Sequence, residues 1–459
     1  MSNSLRGNSL SFVESMVMGI AGSAPASSVA LGTAVLIGTA GHFAPVSLLV
    51  FAIPMLGIAR AYQALGERDG NAGASYRWTS AVMGRLPGFM SGWALLAATL
   101  IFMVSGSVPI ATATLNFIAP QFVGNVVITA AIASAWFAII ALVVMRGIIV
   151  TSRAQLIITT AQLLILIVIL VIAANHVRQV GAVNDFDWRW LGKGLSPDSL
   201  SASALLAVYF YWGWDVTSNL GEETSGGGGN AGLGGLVSIF ITIVLYAGFA
   251  AIALLVMSIN DAQHATDNLI FDIAARAGLG RQGGLLASAA VILSSVAALE
   301  ATMLMFSRTL FAMGRDGSMP LRFGEVSEKS QSPTNAILVI VVLGLVLIWG
   351  SAFMPSVEMI LSTSVKALGL QVDYYFGLAG ISAAWLFRHT YRDSLMTWIS
   401  LCVFPALSSF VLIGLGLYAI TTFDITTNIV GIGGFAVGLI FYRSRPYGQT
   451  RSSAELSLE

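Results

Sequence analysis

The sequence contains little charge and almost no cysteine. Charged residues make up 10% of its 459 residues, against about 25% in ordinary soluble domains. Hydrophobic residues make up 56%, and a soluble chain of this composition would aggregate through exposed apolar surface. Cys402 is the only cysteine, which excludes an internal disulfide and a cysteine-ligated metal cluster. These shortages indicate an integral membrane protein, with the lipid bilayer as its first partner.

Motifs for ATP binding and zinc-dependent hydrolysis are also missing. The chain has no G-x-x-x-x-G-K-[ST] and no H-E-x-x-H, which argues against ATP as energy source and against an intramembrane enzyme. The four histidines fall in predicted loops: His42, His176, His264 and His389. We expect no cofactor, no bound metal and no nucleic-acid partner. The N-terminus lacks a charged region followed by an A-x-A site, so we also expect no cleavable signal peptide.

Long apolar runs predict the membrane topology. A bilayer core of roughly 30 Å needs about 20 apolar residues per helix. We predict about twelve spans in an all-α membrane protein: 12–38, 45–64, 86–118, 124–145, 153–174, 199–221, 232–257, 283–313, 334–352, 356–387, 396–420 and 424–442. The loops on one side carry about three times as many Lys and Arg residues as the others. This bias predicts a multi-pass protein of the cytoplasmic (inner) membrane with both termini cytoplasmic.

Two of the predicted spans contain residues that interrupt helices. Span 1 reads "GIAGSAPASSVALG", in which Pro25 removes a helical hydrogen bond. Span 6 reads "YWGWD", with Gly213 beside Asp215. Such residues often serve close helix packing, but two interruptions five spans apart favour a transporter built from inverted repeats. We predict the first repeat over 1–175 and the second over 176–390, followed by two peripheral spans and a cytoplasmic tail over 391–459.

Four stretches carry a resemblance to a known family: "GIAGSAPASS", "NAGASYRWTSAVMGRLPGFMSGW", "YWGWDVTSNLGEET" and "FSRTLFAMGRDGSMPLRFGEV…SPTNAI". On these the chain resembles the amino acid–polyamine–organocation family of secondary transporters. The resemblance implies a leucine-transporter-like fold of two inverted five-helix repeats plus two peripheral helices, with spans 1 and 6 broken. It also implies a solute site between the two breaks, with spans 3, 8 and 10 around it.

The resemblance implies these solute-binding residues: Ala21, Ser23, Pro25, Ala26, Ser27, Ser28, Tyr209, Tyr211, Trp212, Gly213, Trp214 and Glu300. Three departures from the family pattern stand out. The triplet Pro25-Ala26-Ser27 replaces a Gly-x-Gly that lets backbone approach a solute carboxylate closely. Gln162 stands where some relatives carry a lysine. Glycines over 226–229 predict a flexible inner loop.

Charged residues in or beside the spans are the predicted coupling or gating groups: Asp215, Glu222, Glu223, Glu300, Lys366 and Asp373. Asp215 either caps a half-helix or binds a proton or amine. Glu222 and Glu223 are expected to hold the inner gate or nearby loop arginines.

The other candidates leave alternatives open. Glu300 either binds an ammonium group or is a protonated acid bonded to a neighbouring helix. Lys366 and Asp373 lie too far apart for an ideal bridge, so each is expected to pair with another helix or to reach the cavity. Packing is the favoured role of Ser294 and Ser295, over sodium binding.

The predicted function is secondary active transport, by symport or exchange, of an amine-bearing small solute. The solute is an amino acid or a polyamine-like compound, and the alternative is a non-amino-acid amine such as an amino-alcohol. A channel is the remote alternative. Protons are the predicted coupling ion, since the histidines fall in predicted loops, Gln162 is uncharged, and a protonatable carboxylate is then the available coupling group. The exact solute and the oligomeric state stay open.

Overall fold

The computed structural model describes residues 4–192, 195–265 and 268–443. The predicted cytoplasmic tail from residue 444 onward lies outside the described residues. Among those described, the regular elements are helical, joined by short 3-10 and π-helical turns. The α-helices are α1 (Phe12–Gly22), α2 (Pro25–Ala40), α3 (Ala44–Arg68), α4 (Ser75–Met83), α5 (Arg85–Ile118), α6 (Val126–Met145), α7 (Ile148–Val180), α8 (Pro197–Phe210), α9 (Val216–Asn219), α10 (Gly227–Val256), α11 (Ile259–His264), α12 (Leu269–Ala274), α13 (Gly280–Arg315), α14 (Thr334–Ser351), α15 (Val357–Leu386), α16 (Leu395–Trp398), α17 (Phe404–Thr422) and α18 (Ile425–Phe441).

Eight stretches in the described part of the chain are long and apolar enough to cross a bilayer. The protein is therefore a multi-pass membrane protein. One stretch, Phe12–Arg68, contains both the first and the second predicted span. The count of twelve spans and the inverted repeat stay predictions.

The first interruption lies between α1 and α2. Ser11 and Glu14 form a capping box that starts α1, which ends at Gly22. Ala24 has a left-handed backbone with φ of 50°, and Pro25 then opens α2. Proline fits the first turn of a helix but cannot continue the preceding one. The chain therefore leaves helical geometry where the sequence predicted a break.

The second interruption separates α8 from α9. Gly213 has φ of 102°, a conformation that glycine adopts without steric cost. The two interruptions touch, because a Cβ atom added to Gly22 or to Gly213 would overlap the carbonyl group of the other. Glycine is thus required on both sides of the contact.

The centre of the bundle is formed by α5 and α13. The most apolar window of α5 is 83% buried, and that of the stretch containing α13 is 78% buried, whereas those of α7 and α14 are each 28% buried. Helix α13 packs against α1, α2, α5, α7 and α9, and α15 packs against α5 and α8. Both interruptions therefore lie against the interior helices.

Two local predictions were wrong. Gly227–Val256 is one helix, so the glycine run is not a loop. Gly228 lies against the backbone of Gly66 and Gly70, and the small residues allow this close helix packing. His176, which was predicted in a loop, lies near the end of α7, because that helix continues to Val180.

Candidate functional site

Asp215 lies at the second interruption and is held by a residue of α15. Its side chain is fully buried. The Tyr375 hydroxyl donates to Asp215 Oδ2 at 2.9 Å, and the Trp212 indole N–H donates to the same tyrosine oxygen at 2.6 Å. Asp215 Oδ1 has no partner among the described residues. We call Asp215, Trp212 and Tyr375 the break cluster.

The structure excludes one of the two roles considered for Asp215. The residue precedes α9, but its side chain makes no capping hydrogen bond. Its backbone is already helical, with φ of −70° and ψ of −9°, whereas a capping residue usually has an extended backbone. The carboxylate instead accepts the hydrogen bond from Tyr375 on α15. The prediction of a capping role is wrong.

Aromatic residues of the second interruption pack into the interior. The Trp214 ring contacts Tyr62 and Phe376, at centroid distances of 5.3 and 5.6 Å. The Tyr211 hydroxyl donates to the Leu48 carbonyl at 2.9 Å. Tyr209 is only partly buried. These contacts fix the indole and phenol rings next to the break cluster.

The start of α2 is capped from another helix. The Ser294 Oγ atom on α13 accepts hydrogen bonds from the amides of Ala26 at 3.1 Å and Ser27 at 3.2 Å. The Ser295 hydroxyl pairs with the Ser27 hydroxyl at 2.7 Å. The first amides of a helix need partners, and Ala24 has no side-chain acceptor. Both serines therefore join α13 to the start of α2 by hydrogen bonds, a structural role in keeping with the packing role that was favoured.

The remaining candidates in the first interruption also have partners within the protein. The Ser23 carbonyl accepts from the hydroxyls of Ser28 at 3.1 Å and Tyr246 at 2.5 Å. The Ser23 hydroxyl donates to the Gly19 carbonyl at 3.2 Å, and the Ala21 carbonyl accepts the Ala24 amide. Solute binding by these residues stays a prediction.

Glu300 lies on α13 and, like Asp373, is a predicted site residue whose carboxylate has no described partner. It is 2% exposed, and neither carboxylate oxygen has a partner among the described residues. One turn earlier, the Ala297 carbonyl accepts from Gln155 Nε2 of α7 at 2.7 Å. Thr159 and Gln162 share this buried face of α7, and their side-chain polar atoms have no described partner. The polar face of α7 therefore meets α13 at Ala297, through Gln155.

Glu222 and Glu223 hold arginines, as predicted, but these belong to α13 and not to loops. Glu223 binds Arg308 through two hydrogen bonds of 2.9 Å, and both side chains are fully buried. Glu222 binds Arg315 at 2.7 and 3.0 Å. We call these four residues the ion-pair cluster. It fastens the segment after α9 to the last two turns of α13.

The surroundings of the ion-pair cluster are polar and open. A cavity of about 540 Å³ is lined by Glu222, Arg315 and glycines of three chain segments. The amides of Ser9 and Leu10 donate to the Glu223 carbonyl at 2.8 and 3.0 Å. Burial would raise the pKa of Glu222, but hydrogen bonds from Arg315 and the Ala72 amide outweigh burial and lower it.

Two predicted residues of α15 lie away from both interruptions. Lys366 is exposed, with its Nζ atom 5.9 Å from the centre of the Phe423 ring. Asp373 is buried against Gly416 of α17, and its oxygens have no described partner. Tyr375, two positions later, faces the opposite way. Lys366 therefore lies against the end of α17, as the expectation of a partner on another helix has it, and a role for it at the cavity stays a prediction.

Sequence reasoning did not single out Tyr375, although it is the residue that α15 presents to Asp215. An isolated tyrosine in an apolar helix carries no sequence signal that distinguishes it from an ordinary core residue. Its role follows only from the contact between α15 and the second interruption.

Together these observations define a multi-pass helical membrane protein in which two interrupted helices meet beside buried acids. Residues 10–441 match the family model described as amino acid permease. The chain belongs to the amino acid permease family, a family of membrane transporters, and the family prediction is confirmed. A comparison with curated proteins gave no match.

Proposed function

We propose that the chain is a secondary active transporter of an amine-bearing small solute, an amino acid or a polyamine-like compound. It acts by alternating access in the cytoplasmic membrane, with both termini on the cytoplasmic side. The observation that carries this proposal is a pair of buried acids, Asp215 and Glu300, neither of which forms an ion pair among the described residues.

A buried carboxylate without a cation is costly in a membrane interior. Among the described residues, no group donates a hydrogen bond to Asp215 Oδ1 or to either carboxylate oxygen of Glu300. Asp215 directly precedes α9, and α9 packs against α13, which carries Glu300. An ammonium group brings one positive charge and three donors. A solute amine therefore supplies what these acids lack.

Protons are the proposed coupling ion. Glu300 is titratable and has no described cation partner, and the buried face of α7 carries Gln162, which cannot change its charge. A carboxylate that takes up a proton when the solute leaves would couple the two movements by exchange, whereas symport would need the proton and the amine to be bound together on different acids.

The ion-pair cluster is the proposed inner gate. It joins the segment after α9 to α13 through Glu222 and Glu223. Rearrangement of the half-helices at the interruptions would open the cavity beside it. Both arginines lie on a single rigid helix, so the two pairs are expected to break and form together.

Reconstitution into proteoliposomes tests this proposal. We expect saturable uptake of a radiolabelled amine, counterflow, and a response to pH with no requirement for a sodium gradient. Glu300→Gln mimics the protonated acid and should flatten the pH dependence between about pH 5 and 8, while an amide oxygen still accepts from an ammonium group.

Other outcomes would favour the alternatives. Flux without saturation or counterflow would indicate a channel. Strict sodium dependence, or an unchanged pH profile in both Glu300→Gln and Asp215→Asn, would place the coupling group elsewhere. An amino-alcohol as the best substrate would select that alternative among amines.

A further inference from the structure

The first turn of α2 is where a solute carboxylate would be expected to bind. A helix N-terminus attracts anions because its first amides have no partner within the helix and its dipole is positive there. Helix α2 has 16 residues and begins at the first interruption. That interruption touches the second one, where Asp215 lies. Whether these amides already have hydrogen-bond partners therefore indicates whether the solute carries a carboxylate.

The protein itself satisfies the amides of this turn. Pro25 has no N–H group. The amides of Ala26 and Ser27 both donate to Ser294 Oγ, at 3.1 and 3.2 Å. The Ser28 amide donates to the Ala24 carbonyl at 2.8 Å. No donor of the first turn is left for an anion.

The hydroxyl groups of the same segment have partners as well. The Ser27 hydroxyl pairs with that of Ser295 at 2.7 Å. The Ser28 hydroxyl donates to the Ser23 carbonyl, and the Ser23 hydroxyl donates to the Gly19 carbonyl. The segment thus offers a solute neither amide nor hydroxyl donors.

The arginine and lysine side chains that could bind a solute carboxylate in place of these amides lie away from both interruptions. Within the predicted spans, Arg308 is held by Glu223 through two hydrogen bonds, and Lys366 is exposed. Gly22 and Gly213 leave no gap between the two backbones that an anion could enter. Buried groups without a described partner are of both kinds: Asp215 Oδ1 and the two oxygens of Glu300 are acceptors, and the Trp214 indole N–H of the second interruption is a donor.

We propose that the transported solute is an amine without a carboxylate, and that Ser294 Oγ occupies the position at the start of α2 that a carboxylate would take. This inference rests on the proposed transport of an amine and specifies its chemical class. Ser294 is then a residue that determines specificity, because its Oγ atom accepts from the two free amides at the start of α2 that a solute carboxylate would otherwise meet.

Matched pairs of ligands that differ only in the carboxylate test the proposal. Suitable pairs are agmatine and arginine, putrescine and ornithine, and phenethylamine and phenylalanine. Binding to the purified full chain is measured by the ligand-dependent rise in melting temperature. We expect one amine to bind at least about 30-fold more tightly than its amino acid, since the carboxylate would lose water without gaining donors.

Two variants then assign the effect to Ser294. Ser294→Ala frees the amides of Ala26 and Ser27, so the ratio of amine to amino acid affinity should fall about tenfold. Ser295→Ala is the matched control, because Ser295 bonds the Ser27 hydroxyl and leaves both amide bonds in place. The ratio of amine to amino acid affinity in Ser295→Ala should equal that of the unmodified protein.

Each outcome has one meaning. An amino acid that binds as well as its amine would overturn the inference while leaving amine transport intact. Failure of every pair member to bind would overturn the proposed function itself. Tighter amine binding with an unchanged ratio in Ser294→Ala would overturn the role of Ser294. The comparison on the unmodified protein decides the solute class even if Ser294→Ala does not fold.

Discussion

Glu223 and Glu300 are buried to nearly the same degree, at 0% and 2% exposure, yet their surroundings differ completely. Glu223 receives two hydrogen bonds from Arg308. Glu300 lies on the same helix as that arginine, eight positions earlier, and neither of its oxygens has a described partner. The burial of an acid therefore says little about its role, whereas the presence of a fixed cation separates the two cases.

The difference follows from the energetics of buried charge. A buried pair with good geometry offsets much of its desolvation cost, and it also specifies how two segments meet. A buried acid without a cation is stabilised most when a cationic ligand binds to it. We therefore assign the ion-pair cluster to joining the segment after α9 to α13, as the proposed inner gate, and Asp215 with Glu300 to binding a solute amine or a proton.

The largest expected effect comes from removing the cation of the buried pair. Arg308→Ala leaves Glu223 buried and unpaired, so the free energy of unfolding should fall by about 3–5 kcal/mol. Thermal unfolding in detergent measures this change. Glu300→Gln is the control, since it breaks no ion pair and should change stability little. Equal destabilisation by the two substitutions would remove the distinction between the two kinds of acid.

Neutralising Asp215, the acid of the break cluster, should weaken binding of the solute amine. Asp215→Asn should weaken binding of the amine by about 2–5 kcal/mol, because a buried charge partner is lost. The shift of melting temperature with amine concentration measures the affinity. Glu222→Gln neutralises an acid of the ion-pair cluster and serves as the matched control. An affinity for the amine unchanged in Asp215→Asn would contradict the role of Asp215.

Tyr375 gives a smaller, mainly structural effect. Tyr375→Phe removes the donor to Asp215 and the acceptor of Trp212, and we expect a loss of about 1–3 kcal/mol in stability. Tyr374→Phe is the neighbouring control, since the Tyr374 ring packs on Phe435 instead. Equal stability of the two variants would show that the hydrogen-bond chain contributes nothing.

The smallest effect concerns Glu222 and depends on pH. Its pKa is lowered from 4.5, so its contribution is present above that value and is lost as pH falls through the lower, folded-state pKa. Glu222→Gln should cost about 1 kcal/mol near neutral pH. Below about pH 4 the difference in melting temperature from the unmodified protein should shrink. A difference that grows on acidification would contradict the direction of this shift.

The sequence predicted the two interruptions because their causes are local. Pro25 restricts its own backbone and cannot continue the preceding helix, and Gly213 permits the positive φ found there. The pairing of Glu222 and Glu223 with arginines was also predicted, but Arg308 and Arg315 could not be identified as the partners. That choice depends on how the end of α9 lies against α13.

The parts that sequence reasoning missed depend on helix rotation. Asp373 and Tyr375 are two positions apart on α15 and face opposite sides, and only packing determines which side meets Asp215. Ser294 looked like a packing residue because nothing in its sequence context reveals two amides of a distant helix 3.1 and 3.2 Å away.

The most direct test of the central claim compares an amine with its neutral and anionic counterparts. Putrescine, 1,4-butanediol and succinate have the same chain length, and the melting temperature of the purified protein is measured with each. We predict a concentration-dependent rise with putrescine alone, which disappears in the double variant Asp215→Asn/Glu300→Gln. A larger rise with succinate or with the diol, or a putrescine effect unchanged in the double variant, would contradict the claim that unpaired buried acids bind a solute amine.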